Sequence, residues 1–266
     1  MPVTPFQKEV LLLLARHRAP DSHVAGGLAL NSFFPEGRLS RDVDIFHDTA
    51  SSVARSAAAD VATLEQHGYR IEWAINDTNF KRAKILKNEQ HVTIDWTHDS
   101  AFRYFPAEPD EMLGWRLHLA DLATNKALAL SARSKTRDLF DIVLLDEKYL
   151  RLEAIIWAAC GKDEGYNPQM MLEMMSRFAR VSAGELETLQ APISPIELKR
   201  RWIDISDRAM REIKSRTRED YGFLLLDQTG HPRWHGEAEN LRPHYASVGG
   251  AVPLPADGLT LTAGEL

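Results

Sequence analysis

Apolar and polar residues along the first third of the chain follow two different periods. Residues 5–17 carry apolar side chains at helical spacing, and the Ala-, Val- and Leu-rich stretch 49–66 does so again before Gly68. Residues 42–46, DVDIF, alternate acidic and apolar side chains, which is typical of a strand with one buried face. Similar alternation predicts further strands at 70–75, 79–86 and 91–96. The pattern favours an α+β fold, a small mixed sheet with helices packed on it.

The rest of the chain is predominantly helical by the same criterion. Residues 99–114 contain two prolines and a glycine and predict a loop. Helices are predicted at 120–133, at 136–147 and through most of the region beyond residue 150. The chain is therefore divided into a first domain at 1–148, an α-helical domain at 149–246 and a weakly ordered tail at 247–266.

Composition and charge exclude few classes of protein. The chain has 266 residues, of which 44% are hydrophobic and 26% charged, as in ordinary globular proteins. Its formal net charge of −6 gives no global attraction to nucleic acid, although a local basic patch is compatible with it. The single cysteine, Cys160, lies in an apolar run and is expected to be buried and inert. We find no targeting or membrane-spanning pattern, and we expect a cytoplasmic protein.

The strand at 42–46 carries the first candidate chemistry. Asp42 and Asp44 lie two apart and share a strand face, where their charges repel each other. A hard divalent cation is the commonest reason for such a pair, although Asp-x-Asp also occurs on solvated surfaces. Upstream, Gly26 and Gly27 precede a short apolar stretch that suits a helix start, and backbone N–H groups there can bind phosphate. The stretch thus predicts a phosphate site next to a metal site.

Asp95 is the natural third carboxylate. It lies on the predicted strand 91–96 and shares one face of it with His91 and Thr93. An acid on a strand beside the pair could ligate a metal and take the proton of an attacking hydroxyl. Asp99 is the alternative, but it falls in the predicted loop.

Two segments resemble a known family. GGLAL at 26–30, followed by SRDVDIF at 40–46, is similar to the AbiEii/AbiGii (MenT-like) toxins of the polymerase β-like nucleotidyltransferase superfamily. NKAL at 125–128, Arg133 and RDLFDI at 137–142 resemble a second block of the same family. The chain departs from many superfamily members in lacking a serine in its glycine motif, where Leu28 follows Gly27. The resemblance covers about residues 20–150.

The resemblance implies a fold, an activity and a set of site residues. The fold is a polymerase β-like nucleotidyltransferase core followed by an α-helical C-terminal region. Asp42, Asp44 and Asp95 are implied to bind Mg²⁺ or Mn²⁺, Lys126 the phosphates of a nucleoside triphosphate such as ATP, and Asp141 to have a catalytic role. Arg133 is a weaker nucleotide-binding candidate, beside Arg137. The implied activity is transfer of a nucleoside monophosphate to an acceptor hydroxyl, on tRNA or another cellular target, by a toxin with a cognate antitoxin.

Two alternatives remain open from the sequence. The net negative charge would suit a cationic acceptor, such as an aminoglycoside antibiotic. The missing serine and the uncertain third acid are also compatible with a non-catalytic nucleotide-binding protein of the same fold. A basic run at 199–218 is either a solvated helix with intrahelical ion pairs or a track for an RNA backbone.

Overall fold

The structure is a computed structural model that describes residues 3–216 and 221–253. In chain order, the helices are α1 (Pro5–Leu14), α2 (Gly26–Ser32), α3 (Ala50–Gln66), α4 (Leu119–Ala132), α5 (Thr136–Lys148), α6 (Leu152–Ala159), α7 (Pro168–Phe178), α8 (Ala183–Thr188) and α9 (Pro195–Ser215). The strands are β1 (Ser22–Ala25), β2 (Asp42–His47), β3 (Arg70–Asn76), β4 (Phe80–Lys87), β5 (Gln90–His98), β6 (Phe102–Arg103), β7 (Glu108–Asp110), β8 (Gly114–Arg116), β9 (Phe223–Leu226), β10 (Pro232–Arg233), β11 (Arg242–Tyr245) and β12 (Ser247–Val248). A 3₁₀ turn at Ala15–His17 follows α1.

Seven of these strands form one mixed sheet, in the order β3-β4-β5-β2-β1-β8-β7. The acidic strand β2 lies in the middle, parallel to β5 and antiparallel to β1. In this register Asp44 lies directly opposite Asp95, and Asp95 lies directly opposite Arg82 of β4. The sheet therefore aligns two predicted acids and one arginine in a row across three strands.

The two faces of the sheet differ in chemistry because side chains alternate along β2 and β5. Val43 and Ile45 are buried, and the Trp96 indole N–H donates a hydrogen bond of 2.7 Å to Asp60 on α3. Helices α1 and α3 thus cover the apolar face. Asp42 and Asp44 occupy the opposite face, which turns towards α4.

The C-terminal region packs on the first domain through α4. Helices α6 and α7 lie against α4, and α8 and α9 lie against α5. Apolar side chains from both sides of the predicted boundary at 148 belong to one buried cluster. The division at 148 stays a prediction, because a continuous core neither requires nor excludes two folding units.

Most predicted helices and strands are confirmed, and three predictions are wrong in part. The predicted loop 99–114 contains β6, β7 and the start of β8, and β7 and β8 extend the main sheet. The predicted α-helical region 149–246 also contains a small sheet, β10-β9-β11. In the predicted tail 247–266, β12 pairs with β6, while residues 254–266 lie outside the described residues. Strands of two to four residues are too short to show a period of two.

The basic run lies mainly on α9, and three of its arginines are paired with acids. Arg200 contacts Glu197 and Asp204, Arg201 contacts Glu197 and Glu147, and Arg208 contacts Asp146 and Glu153. This pairing favours the solvated-helix interpretation for that part of the run; Arg218 lies outside the described residues. Cys160 is buried, as predicted, and burial raises the pKa of its thiol to about 12. No helix within the described residues is long and apolar enough to cross a membrane.

Candidate active site

The glycine pair lies against the acidic strand. Helix α2 begins at Gly26, which follows β1 directly and has a φ of +63°. A Cβ atom at Gly26 would come within 1.8 Å of an Asp44 carboxylate oxygen, and one at Gly27 within 2.8 Å of Arg38 Nη2. Only glycine at position 26 permits both this left-handed backbone and this close approach. The start of α2 is therefore built to face the Asp44 carboxylate.

Asp42 and Asp44 both lie half-buried on one face of β2, as predicted. Burial, followed by the nearby charges of Asp95 and Asp42, raises the pKa of Asp44 above its ordinary range. No described residue donates a hydrogen bond or forms an ion pair with the Asp44 carboxylate. Asp42 has one loose partner, Arg137, at 3.8 Å. The carboxylates of Asp42 and Asp44 therefore lack a close positively charged partner among the described residues.

Asp95, by contrast, is fully engaged by Arg82. The guanidinium Nε donates to one Asp95 oxygen at 2.7 Å and Nη2 to the other at 2.5 Å. The Asp95 side chain is 6% exposed, whereas the Arg82 side chain is 42% exposed. The hydrogen bonds to Asp95 raise the pKa of Arg82, so its guanidinium remains charged.

Asp141 lies at the centre of a buried charged cluster. Arg38 donates two hydrogen bonds to its carboxylate, at 2.8 and 2.7 Å. Lys126 Nζ lies 2.8 Å from one of the same oxygens, and the Asn31 amide donates at 3.1 Å. The pKa of Asp141 is lowered: burial opposes ionisation, but Arg38 and Lys126 outweigh it. Asp141 therefore fixes both cations in place.

Asp138 extends this cluster towards the end of α4. It accepts a hydrogen bond of 3.0 Å from Lys126 and a pair at 2.8 and 3.2 Å from Arg133. Burial again opposes ionisation, yet Lys126 and Arg133 lower the pKa of Asp138 to about 2. The cations and carboxylates alternate, so that each buried charge has a partner of opposite sign.

One cavity of about 450 Å³ collects these groups. Its lining contains every predicted site residue except Asp141: Gly26, Gly27, Asp42, Asp44, Asp95, Lys126 and Arg133. Arg38, Ser40, Arg82, Asp99 and Arg137 also line it, with apolar contributions that include Phe46 and Leu128. Asp141 is fully buried behind this lining. From this position it acts on the cavity through Arg38 and Lys126, and its predicted catalytic role stays a prediction.

Several residues of the site, Asp138 among them, were not predicted as functional. Asn31 lies in a predicted helix, Arg38 in a linker and Arg82 in a predicted strand, and none of these segments carried a further sequence signal. Asn31 lies four residues after Gly27, the spacing of one helical turn, and donates to the Gly27 carbonyl at 2.8 Å. That spacing could have suggested a contact, whereas the pairing of Arg82 depends on a strand register that the sequence does not reveal.

Two carboxylates of the cavity meet the needs of a divalent cation. Asp42 and Asp44 supply hard oxygen ligands on one wall of the cavity, and Asp44 has no competing partner among the described residues. Within the same residues, no group of three acidic, histidine or cysteine side chains converges as a ready-made metal site. The acid pair therefore fits Mg²⁺, while both oxygens of Asp95 accept hydrogen bonds from Arg82.

Comparison with known proteins decides the family. The family model described as "Nucleotidyl transferase AbiEii toxin, Type IV TA system" matches residues 13–230. The chain belongs to this AbiEii family. The match spans both predicted domains, and the conclusion that the protein is a nucleotidyl transferase of the toxin type follows from it. No curated protein sequence matches the chain.

Solved structures resemble this AbiEii protein at low identity. The crystal structure of JHP933 from Helicobacter pylori has a TM-score of 0.48 and 14% identity, over 79% of this chain and 92% of that chain. MenT4, a nucleotidyltransferase toxin from Mycobacterium tuberculosis, has a TM-score of 0.44 and 14% identity, over 79% of this chain and 89% of that chain. The predicted α+β class is confirmed by the seven-stranded mixed sheet and the helices packed on it.

Proposed function

We propose that this AbiEii protein transfers a nucleoside monophosphate from a nucleoside triphosphate to an acceptor hydroxyl, with tRNA as the acceptor. One observation carries the proposal: the acid pair of β2, the glycine turn and the cations of α4 and α5 line a single cavity. Phosphoryl-type transfer needs little beyond positioning and charge neutralisation, and these groups supply both.

Positive groups of the cavity would bind the triphosphate. Arg133 and Arg137 are about half exposed, so their guanidinium groups can reach a ligand in the cavity. Lys126 is nearly buried and already bonded to Asp138 and Asp141, so it contributes a fixed positive charge. Backbone N–H groups at Gly26 and Gly27 would take the place of the missing serine hydroxyl.

Asp42 and Asp44 would hold Mg²⁺ or Mn²⁺, which when bound neutralises negative charge on the phosphates and favours ionisation of the acceptor hydroxyl. The acceptor oxygen would form a bond to the α-phosphorus as the bond to pyrophosphate breaks. Asp95 would take the hydroxyl proton once it is free of Arg82. Asp99 also lines the cavity, and burial raises its pKa, so it is the second candidate for the proton.

The charge around the cavity favours an anionic acceptor. Arg82, Arg133 and Arg137 have side chains that are 40–49% exposed, and all three line the cavity. An RNA backbone is attracted to such groups, whereas a cationic antibiotic is repelled by them. This supports tRNA over the aminoglycoside alternative. We place the reaction in the cytoplasm, where nucleotides and tRNA occur together, and expect a cognate antitoxin to oppose it.

Labelling of RNA tests this proposal. The purified protein is incubated with each α-labelled nucleoside triphosphate, Mg²⁺ and total tRNA, in parallel with an aminoglycoside as acceptor. We expect label on tRNA and its loss with chelator or in Asp44→Asn, while Asp207→Asn, an exposed change on α9, keeps full activity. Label on the aminoglycoside alone would replace tRNA as the acceptor. Absence of both label and nucleotide binding would contradict the proposed reaction.

A further inference from the structure

Arg82 forms an ion pair with Asp95, one of the three predicted metal ligands. It lies on β4 directly opposite Asp95 on β5, and its fork donates to both oxygens of that carboxylate, at 2.7 and 2.5 Å. A bidentate pair of this geometry is among the strongest polar contacts that proteins make. A cation that uses Asp95 therefore competes with Arg82 for the same two oxygens.

Asp95 has a second neighbour that competes for it. On its other side it lies directly opposite Asp44 of β2, whose carboxylate has no partner among the described residues. The Asp95 side chain is 6% exposed and cannot turn to solvent instead. It can face either the guanidinium on β4 or a cation shared with the acid pair on β2.

Arg82 has freedom to move that Asp95 lacks. Its side chain is 42% exposed and lines the same cavity as Arg133 and Arg137. The guanidinium carbon lies 5.3 Å from the centre of the Phe80 ring, so it also has a contact away from Asp95. Phosphate oxygens in the cavity would offer it a new bidentate partner.

We propose that Arg82 is a positioning residue that holds Asp95 away from the acid pair, and that a divalent cation gains its third carboxylate only when Arg82 releases it. In the protein without nucleotide, Arg82 keeps cation binding weak. A triphosphate in the cavity draws Arg82 away, so that cation and nucleotide complete the site together. This inference rests on the proposed function, because it assumes a divalent cation at Asp42 and Asp44.

Cation binding without nucleotide tests the inference separately from turnover. Mn²⁺ is titrated into the full chain, and the electron paramagnetic resonance signal of the free ion gives the Kd. We expect Arg82→Met to bind Mn²⁺ about tenfold or more tightly than the parent, because the competing charge and fork are both removed. Arg82→Lys keeps the charge but not the fork, and should show a smaller gain.

Arg137→Met is the matched control. Arg137 lines the same cavity and is 40% exposed, but it lies 3.8 Å from Asp42 and makes no fork with a carboxylate. Its removal should strengthen Mn²⁺ binding by less than about threefold, the effect expected from losing one partly exposed charge. In an Asp95→Asn background, Arg82→Met should likewise add less than about threefold, since the competition no longer exists.

The possible outcomes separate this inference from the proposed function. If Arg82→Met and Arg137→Met tighten Mn²⁺ binding equally, the effect is explained by the loss of one positive charge, and the inference is overturned. If the parent binds Mn²⁺ and neither Arg82→Met nor Arg82→Lys binds it more tightly, the inference is overturned and the proposed function remains intact. If none of these proteins binds Mn²⁺, the metal-dependent function and the inference fail together. Circular dichroism of each variant checks that folding is preserved, and Arg82→Lys carries the test if Arg82→Met fails to fold.

Discussion

Position 26 of this site accepts only glycine. Its backbone has a φ of +63°, and a Cβ atom there would lie 1.8 Å from an Asp44 oxygen. These are two separate requirements, one of conformation and one of space. The glycine motif could be recognised from the sequence, but its contact with a residue eighteen positions later could not.

Gly26→Ala should therefore lose stability and activity together. The left-handed conformation and the collision with Asp44 should lower the free energy of unfolding by about 2–4 kcal/mol. Gly184→Ala on α8 is the control: an added Cβ meets nothing within 4 Å, and helix propensity should change stability by less than about 1 kcal/mol. Urea unfolding measures both variants. Equal stability of the two would mean that the turn at Gly26 tolerates a side chain.

Asp44→Asn should separate stability from catalysis. The change removes a cation ligand and preserves shape, so activity should fall by on the order of a thousandfold. The free energy of unfolding without metal should stay equal or rise, because burial and Asp95 already disfavour the charge on Asp44. Cells that express the variant should grow normally where the parent arrests them. An active variant, or an unfolded one, would contradict the role of the acid pair.

At the scale of elements, the site is formed where the parallel strands β2 and β5 meet three helices, α2, α4 and α5. The periods of β2 and β5 were evident from the sequence, and so was the face that each acid occupies. The parallel pairing that places Asp44 opposite Asp95 was only assumed, since register depends on contacts between distant segments. The strand β4 was predicted, but the register that places Arg82 opposite Asp95 was not. Strands β7 and β8 escaped prediction because three residues are too few to define a period.

Asp141 connects α5 to α4 and to the segment before β2. Family resemblance implied a catalytic role for it, which stays a prediction, whereas the alternating charges around it become visible only once these elements pack together. Asp141→Asn should leave Arg38 and Lys126 buried and poorly paired, at a cost of about 3–5 kcal/mol in the free energy of unfolding.

Asp204→Asn is the comparison for this prediction. It breaks an ion pair at 3.2 Å between side chains that are more than 60% exposed, which should cost less than about 1 kcal/mol. Denaturant unfolding of the two variants at pH 7 gives the difference. If Asp141→Asn costs no more than Asp204→Asn, the cluster around Asp141 does not stabilise the junction of the helices.

Over the whole molecule, many basic side chains form ion pairs with acidic ones, so the charges do not add up to one strongly positive or negative surface. The chain carries 32 basic and 38 acidic residues, and many arginines outside the cavity pair with acids, as on α9. Composition indicated the weak net charge but not this local arrangement. The partly exposed arginines at the cavity are consequently the positive groups that matter for an anionic substrate, and their convergence was not readable from the sequence.

The stability of the whole fold should depend on two buried histidines, His47 and His23, which lie on opposite faces of the sheet. His47 lies on the apolar face of β2, is fully buried, and neither ring nitrogen has a hydrogen-bond partner within the described residues. Burial first, and then the nearby charge of Arg18, lowers the pKa of His47 to about 4, although Asp60 and Asp48 act in the opposite direction. His23 on β1 has a pKa of about 4 as well, again mainly because of burial and then of Arg103.

A lowered histidine pKa fixes the sign of the pH dependence. Between about pH 6.5 and pH 4 the unfolded chain binds protons that the folded protein excludes, so the free energy of unfolding falls as pH falls through this range. Each histidine should contribute up to about 1.4 kcal/mol per pH unit.

His47→Leu removes one of them from the face of β2 opposite the cavity, so urea midpoints measured from pH 7.5 to 4.5 should fall less steeply than in the parent. At pH 7.5 the variant should be as stable as the parent or more so, because an unpartnered polar ring is replaced by an apolar group. A parent whose stability is constant between pH 7.5 and 4.5 would show that these histidines are not held neutral by the fold.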